Sequence, residues 1–290
     1  MTSDNKEEGF SMSRICMKQK TAIIVSGGWM WASYAVGCVL ALVHEYSFTM
    51  PDIVIAWSGS TWTMSYFVAK QYEWIRRIRS DLLSTRRFIN FRRFWKILDI
   101  DYLIDDVFKL QEPLDIEKIS VSSIDYYIAV TDAKKWNVCY FSNHDEVNLF
   151  ETMRAAKAMP IFYGRLVHLP DGSNYQDSPN STAPELHIQK AIALGATKLL
   201  VINTQKKTPL RIRKLYLFSK NQWYRDVFRK EYESRKNLSV TPGTSIYELF
   251  PQKPLDIGVL GNRRDNLRKT IEQGYQETKG DVQLKMRLEV

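Results

Sequence analysis

Residues 52–67, DIVIAWSGSTWTMSYF, hold a serine that could be presented as a nucleophile. A short apolar strand leads into Ser58, Gly59 follows, and an apolar run with helical spacing comes next. This order is typical of the strained strand-to-helix turn G-x-S-x-G, although Ala56 and Ser60 occupy its two glycine positions. A nucleophilic serine needs a base within hydrogen-bond reach and backbone N–H groups for the oxyanion. The alternative is a serine that only caps a buried helix.

Apolar runs along residues 20–205 predict the elements that would position this serine. Continuous runs rich in β-branched residues indicate strands buried on both faces, and they alternate here with apolar helices. The alternation predicts an α/β fold with a mostly parallel central sheet and helices on both faces. Predicted strands lie at 21–26, 53–56 and 198–203, with a hairpin at 124–142. Predicted helices lie at 34–46, 59–70, 73–110, 149–160 and 185–196.

Length and composition allow one large domain with an appendage. The chain has 290 residues, of which 44% are hydrophobic, enough for a proper core. We expect a flexible N-terminal tail at 1–19, a main domain at 20–205 and a basic, mainly helical C-terminal extension at 206–290. The three cysteines have no CxxC spacing, which predicts free thiols in a reducing compartment and no zinc site.

The expected location is the cytoplasm. The first 20 residues are polar and mixed in charge, without the apolar core of a signal peptide. The longest apolar run, at 34–43, has only ten residues, whereas about 20 are needed to cross a bilayer. Peripheral binding to a membrane stays open as an alternative.

Four segments of the chain resemble the patatin-like phospholipase family. The segments are IIVSGGWMWASYAVGCVLALVHEY, PDIVIAWSGSTWTMSYFVA, FETMRAAKAMPIFY and YQDSPNSTAPELHIQKAIALGATKLLVIN. They occur in the order and at the spacings of that family, so the resemblance covers about residues 20–205. The tail from residue 245 also resembles the C-terminal part of bacterial members. The resemblance implies the patatin-like three-layer fold.

The resemblance also implies a serine lipid acyl hydrolase with a Ser–Asp dyad and no catalytic histidine, metal or other cofactor. It places the nucleophile on Ser58 and the general base on Asp177, which opens the sequence DSP where family members have D-G-G/A. The family's oxyanion loop, G-G-G-x-R/K-G, falls on the stretch that begins Gly27, Gly28 and Trp29. The implied substrate is a lipid or another acyl ester.

Histidine offers an alternative to the dyad. His187 follows Asp177 by ten residues, and Ser, Asp and His then come in the chain order of a hydrolase triad. The competing interpretation is an ordinary, partly buried histidine on a helix.

The oxyanion loop departs from the family pattern at three positions. Trp29 replaces the third glycine, Trp31 the basic residue and Ala32 the last glycine. If position 29 needs a positive φ, a non-glycine residue there costs about 1–2 kcal/mol. Loss of one oxyanion donor costs about 100- to 1000-fold in turnover. The alternative function is therefore a catalytically inactive patatin-like protein that binds lipid surfaces or a partner.

Further tryptophans occupy positions where small or turn residues are expected. Trp57 and Trp62 lie in and just after the elbow, and Trp136 lies at a hairpin tip, where Gly or Asn is favoured. One interpretation is drift in an inactive enzyme. The other is that UGA codons for glycine have been translated as tryptophan, because some bacterial lineages decode UGA as glycine.

Two basic stretches, residues 70–96 and 204–236, contain interleaved aromatic residues. With the net charge of +9, they indicate an acidic partner. They are either solvated helix faces or a surface that lies on an anionic membrane, with aromatic side chains at the interface. Nucleic acid is not an expected partner, since no recognised binding motif is present. The glycines after the first strand do not match a dinucleotide-binding fingerprint.

Overall fold

The computed structural model describes residues 19–93, 95–177, 183–205 and 237–288. The predicted tail up to residue 18, residues 178–182 and most of the second basic stretch, at 206–236, lie outside the described residues. The described part has an α/β fold with a mostly parallel central sheet, helices on both faces and a mainly helical C-terminus. The fold class predicted from the sequence is confirmed.

The sheet is centred on β1, which pairs in parallel with both β2 and β7. The strands are β1 Lys20–Val25, β2 Ile53–Trp57, β3 Asp125–Asp132, β4 Val138–Ser142, β5 Val167–His168, β6 Asn174–Gln176, β7 Ala196–Ile202 and β8 Ser245–Leu249. Their spatial order is β5-β6-β3-β2-β1-β7-β8, with β4 also paired to β3. Parallel strands end at one edge of a sheet, so the loops after β1, β2 and β7 are neighbours.

Helices cover the sheet on both faces. They are α1 Ala32–Tyr46, α2 Thr61–Val68, α3 Tyr72–Arg77, α4 Ile116–Ser120, α5 Leu149–Ala155, α6 Pro160–Tyr163, α7 Pro184–Ala193, α8 Arg264–Lys279 and α9 Val282–Leu288. Alternate residues of a strand point to opposite faces. Ile23 and Val25 accordingly share one core with α1, α2 and α8, whereas Ala22 and Ile24 share a second core with α7. In the described ranges, no helix is long and apolar enough to cross a membrane.

Residues 237–288 pack against the preceding described part of the chain through a close helix crossing. β8 extends the sheet beside β7, and α8 lies across α1. The crossing is made at glycines: a Cβ at Gly37 would lie 1.9 Å from the carbonyl oxygen of Ile271, and one at Gly274 would lie 2.1 Å from that of Tyr34. The two backbones therefore touch where a side chain would separate them.

The prediction of helix throughout residues 73–110 is wrong in its middle. The stretch begins with α3 and a π-helical turn, Ile78–Leu82, and it ends with a π-helical segment, Tyr102–Gln111. Between them the chain forms a hairpin, which we call the 88–98 hairpin, closed by an antiparallel bridge between Ile89 and Leu98. Its apolar residues mimic a helical pattern, but Phe88 and Leu98 line a cavity while Phe91 and Trp95 are exposed.

Ion pairs and hydrogen bonds connect the 88–98 hairpin, through Asp101, to α5 and the segment that follows it. The Asp101 carboxylate accepts hydrogen bonds from Tyr163, Arg154 and Arg165, and it pairs with Lys96 at 2.7 Å. Burial raises the pKa of Asp101, but the hydrogen bonds from Lys96 and Tyr163 outweigh it and bring the pKa down to about 2. The carboxylate therefore stays charged, and the network intact, at physiological pH.

We expect the substitution Gly274→Ala to destabilise the protein. Alanine in a helix is ordinarily more favourable than glycine by about 0.5–1 kcal/mol. Here the added methyl group would overlap backbone of α1, and overpacking of this kind costs about 1–3 kcal/mol. Urea unfolding should show the loss. Gly258→Ala is the control, since no described atom lies within 4 Å of its Cβ position. Equal stability of the two variants would contradict the close crossing.

Candidate active site

Ser58 lies in a strained turn directly after β2. Its φ is 51°, in the left-handed region that few non-glycine residues adopt. A 3₁₀ turn at Ser58–Ser60 follows, and α2 begins at Thr61. Ser60 Oγ donates to the carbonyl oxygens of Val25 at 2.7 Å and Trp57 at 2.9 Å, which ties the turn to the end of β1. Ala56, two residues before Ser58, is buried and pairs with Val25 of β1.

The hydroxyl of Ser58 is bonded to Asp177. Ser58 Oγ donates to Asp177 Oδ2 at 2.6 Å across a separation of 119 residues. Asp177 follows β6 and is 4% exposed. Its backbone N–H donates to the carbonyl oxygen of Ala158 at 3.1 Å, which holds the residue at the sheet edge. The structure therefore brings the two predicted dyad residues into direct contact.

Glycines bring the loop after β1 against the turn at Ser58. A Cβ at Gly27 would lie 2.7 Å from the Cβ of Ser58, and one at Gly59 would lie 3.1 Å from the backbone nitrogen of Trp29. Gly28 has a φ of 111°, which favours glycine. No described residue accepts a hydrogen bond from the N–H of Gly28 or Trp29. These two donors are therefore available beside the serine.

The backbone separates the four unusual tryptophans into two pairs. Trp29 has a φ of 58° and Trp136 a φ of 57°, so both adopt the left-handed conformation that glycine favours. Trp57 is extended, with a φ of −142°, and Trp62 lies within α2. The hypothesis of a glycine read as tryptophan therefore matches the backbone at 29 and 136. It has no such support at 57 and 62.

An apolar cavity opens onto Ser58 and Asp177. Its other lining residues come from the loop after β1, the turn at Ser58, α2, the stretch around the 88–98 hairpin and the turn after α5: Trp29, Met30, Gly59, Trp62, Arg79, Leu83, Phe88, Leu98, Ile100, Leu103 and Lys157. An apolar wall beside a serine and a carboxylate suits a substrate that carries a hydrocarbon chain.

Two buried cations line this cavity, and the sequence did not single them out. Arg79 is 2% exposed and Lys157 is 6% exposed. Arg79 donates to the carbonyl oxygens of Trp29 at 3.2 Å and Gly59 at 3.0 Å, so it bridges the loop after β1 and the turn at Ser58. Burial lowers the pKa of Arg79 to about 9. Arg79 lies in a basic stretch of the sequence, where it resembles a solvated charge. Lys157 has apolar neighbours in AAKAMP, and that context is the only sequence signal of its burial.

His187 lies on α7, on the other face of the sheet. Its ring stacks on Trp57 with centroids 4.0 Å apart, and its Nδ1 shares a hydrogen bond of 3.0 Å with the hydroxyl of Tyr140. The side chain is fully buried in these contacts. This arrangement is that of a core histidine.

Comparison with known proteins supports the fold. The chain is similar to the uncharacterized protein YjjU of Escherichia coli strain K12, at 24% identity over 281 residues, covering 88% of this chain and 75% of that protein. It also resembles the crystal structure of VipD from Legionella pneumophila, with a TM-score of 0.50 and 11% identity, over 93% of this chain and 67% of that one. No family model matches the chain. The fold is the patatin-like α/β arrangement that the sequence predicted.

We expect Trp29→Gly to be more stable than Trp29→Ala by about 1 kcal/mol. Both variants remove the same indole, so their difference isolates the left-handed backbone at residue 29. Thermal or urea unfolding measures it. The control is exposed Lys269 in α8, where alanine should instead be more stable than glycine. If alanine were more stable than glycine at position 29 as well as at position 269, the positive φ of Trp29 would be contradicted.

Proposed function

We propose that this protein is a patatin-like lipid acyl hydrolase that cleaves acyl esters with a Ser58–Asp177 dyad. The observation that carries the proposal is the 2.6 Å hydrogen bond between Ser58 Oγ and Asp177 Oδ2 in the lining of an apolar cavity. The left-handed backbone of Ser58 adds to it, because strained nucleophile turns present the hydroxyl in this way. The proposed catalytic domain is the segment 20–205.

In the proposed reaction Ser58 Oγ attacks the ester carbonyl while its proton passes to Asp177. The resulting tetrahedral intermediate collapses, its alcohol leaves with the proton from Asp177, and an acyl-serine remains. Asp177 then takes a proton from water, which attacks the acyl group. As the second tetrahedral intermediate collapses, Asp177 returns the proton to Ser58 Oγ and the carboxylic acid leaves. The dyad is thereby restored.

Backbone donors beside Ser58 support stabilisation of the oxyanion. The N–H groups of Gly28 and Trp29 lie in the loop that touches Ser58 through Gly27. Preorganised donors of this kind supply a large part of the rate enhancement in acyl transfer. Trp29 retains its backbone N–H, so the departure from the family pattern leaves this donor in place. Arg79 holds the loop by its bond to the Trp29 carbonyl oxygen.

We expect Ser58→Ala and Asp177→Asn each to lower ester hydrolysis by about 10⁴-fold, since each removes one half of the proton-transfer pair. The measurement is release of fatty acid from lipid and of p-nitrophenol from p-nitrophenyl esters. A fluorophosphonate probe should label the wild-type peptide that contains Ser58.

Ser120→Ala is the matched control, because Ser120 is exposed and its hydroxyl bonds only within α4. Its rates should equal those of the wild type. A folded wild-type protein that neither hydrolyses esters nor takes up the probe would establish the alternative function, an inactive protein that binds lipid or a partner.

We also propose that the 88–98 hairpin rests on an anionic membrane surface. Phe91 and Trp95 are 64% and 63% exposed near its tip, beside exposed Arg92. Phe88 and Leu98, at its base, line the cavity of Ser58. Exposed aromatic side chains among cations are typical of surfaces that enter the headgroup region of a bilayer. Binding there would bring the cavity next to its lipid substrate.

We expect the double variant Phe91→Ser, Trp95→Ser to bind vesicles containing phosphatidylserine at least tenfold more weakly than the wild type, because it loses two apolar anchors. Co-sedimentation measures binding, which should weaken as salt increases. The control is Leu110→Ser, Val121→Ser, which removes two apolar residues elsewhere that are even more exposed. Equal binding by the two double variants would contradict a membrane role of the hairpin.

A further inference from the structure

Lys157 lies where the two residues of the proposed dyad come together. It belongs to the turn after α5 and lines the same cavity as Ser58 and Asp177. Its Nζ donates to Thr61 Oγ1, and to the carbonyl oxygen of Met153 at 3.2 Å. Thr61 Oγ1 in turn donates to the carbonyl oxygen of Ser58 at 3.0 Å. Two hydrogen bonds in series therefore connect the ammonium group with the backbone of the nucleophile.

The residue after Lys157 contacts the other half of the dyad. The carbonyl oxygen of Ala158 accepts a hydrogen bond of 3.1 Å from the backbone N–H of Asp177. The turn at 157–158 is thus linked to Ser58 through the side chains of Lys157 and Thr61, and directly to Asp177 through its backbone. A change in this turn acts on both residues together.

The charges around Lys157 come from two neighbouring elements. The Asp177 carboxylate, after β6, favours the ammonium form, and the Arg79 guanidinium, in the π-helical turn, disfavours it. Asp177 is the only acid among the described residues that line the cavity. Two cations and one carboxylate therefore share a space that is mostly apolar, which leaves an excess of positive charge for a developing anion.

We propose that Lys157 is a positioning residue whose ammonium group compensates the negative charge of the reaction, first on Asp177 and then on the oxyanion. This inference rests on the hydrolase function proposed above. As Asp177 takes the Ser58 proton, the negative charge leaves its carboxylate and appears on the former carbonyl oxygen of the substrate. A fixed cation in the same cavity interacts with both positions, and a low dielectric strengthens each interaction.

The proposal has a characteristic pH dependence. Desolvation lowers the pKa of Lys157 to about 7, against the opposing effect of Asp177. The cationic form is therefore present below that pH and is lost as the pH rises through it. Turnover should fall on the alkaline side of about pH 7. If the neutral amine were instead the general base, turnover would rise over the same range.

The test compares wild type, Lys157→Met and Lys157→Arg as full chains on a water-soluble p-nitrophenyl ester between pH 5 and 10. We expect Lys157→Met to lose about 100-fold in kcat, with KM nearly unchanged and no alkaline fall. Its melting temperature, measured alongside, separates a loss of folded protein from a loss of turnover. Lys157→Arg should keep more activity and lose the alkaline fall, since guanidinium stays charged.

Several results would overturn the role of Lys157. They are wild-type turnover that rises through pH 7, an alkaline fall that persists in Lys157→Met, or a loss of activity in that variant that only matches its loss of folded protein. If Lys157→Arg does not fold, the pH profiles of wild type and Lys157→Met are sufficient to test the role of Lys157. The rate of fluorophosphonate labelling of Ser58, measured over the same pH range, gives a second readout.

The labelling experiment also separates this proposal from the proposed function. A wild-type protein that is never labelled and never turns over would overturn both. A wild-type protein that is labelled at Ser58, with a pH profile that Lys157→Met leaves unchanged, would overturn only the role of Lys157.

Discussion

The hydrogen bond between Ser58 and Asp177 is the contact on which the site depends. It joins residues 119 positions apart, on the loops that follow β2 and β6. Such a contact persists only if the rest of the fold holds both loops in fixed positions. The parallel register of β1, β2 and β7 contributes to this, because it places the ends of the strands at one edge of the sheet. The hydrogen bond from the backbone N–H of Asp177 to the carbonyl oxygen of Ala158 holds the loop after β6 in place.

Close approach of backbones is a second constraint, and it explains where glycine is used. Gly27 and Gly59 let the loop after β1 touch the turn at Ser58, and Gly37 and Gly274 let α1 touch α8. The first pair shapes the site, and the second lets α8 pack directly on α1. Trp29 differs from them, because it has the backbone of a glycine position but carries an indole into the cavity wall.

Buried charge is the least expected property of the site. A desolvated cation is unfavourable in a folded protein unless a partner or a function compensates for it. Arg79 is compensated by two carbonyl oxygens that it holds together, and its guanidinium also lies 4.9 Å from the ring of Trp62. Lys157 interacts electrostatically with Asp177. In the proposed reaction, the same two charges that disfavour folding favour a transition state that carries an oxyanion.

The sequence by itself determined the features that depend on local patterns. Runs of β-branched residues predicted β1, β2 and β7 nearly to the residue, and the small residues around Ser58 predicted the turn. Tertiary structure decided what no local pattern contains. The middle of 73–110 became a hairpin whose base, at Phe88 and Leu98, lines a cavity built with other elements. Lys157 became buried because the turn after α5 contacts the start of α2 at Thr61. Periodicity reports which side chains are apolar, whereas their partners depend on contacts between distant segments.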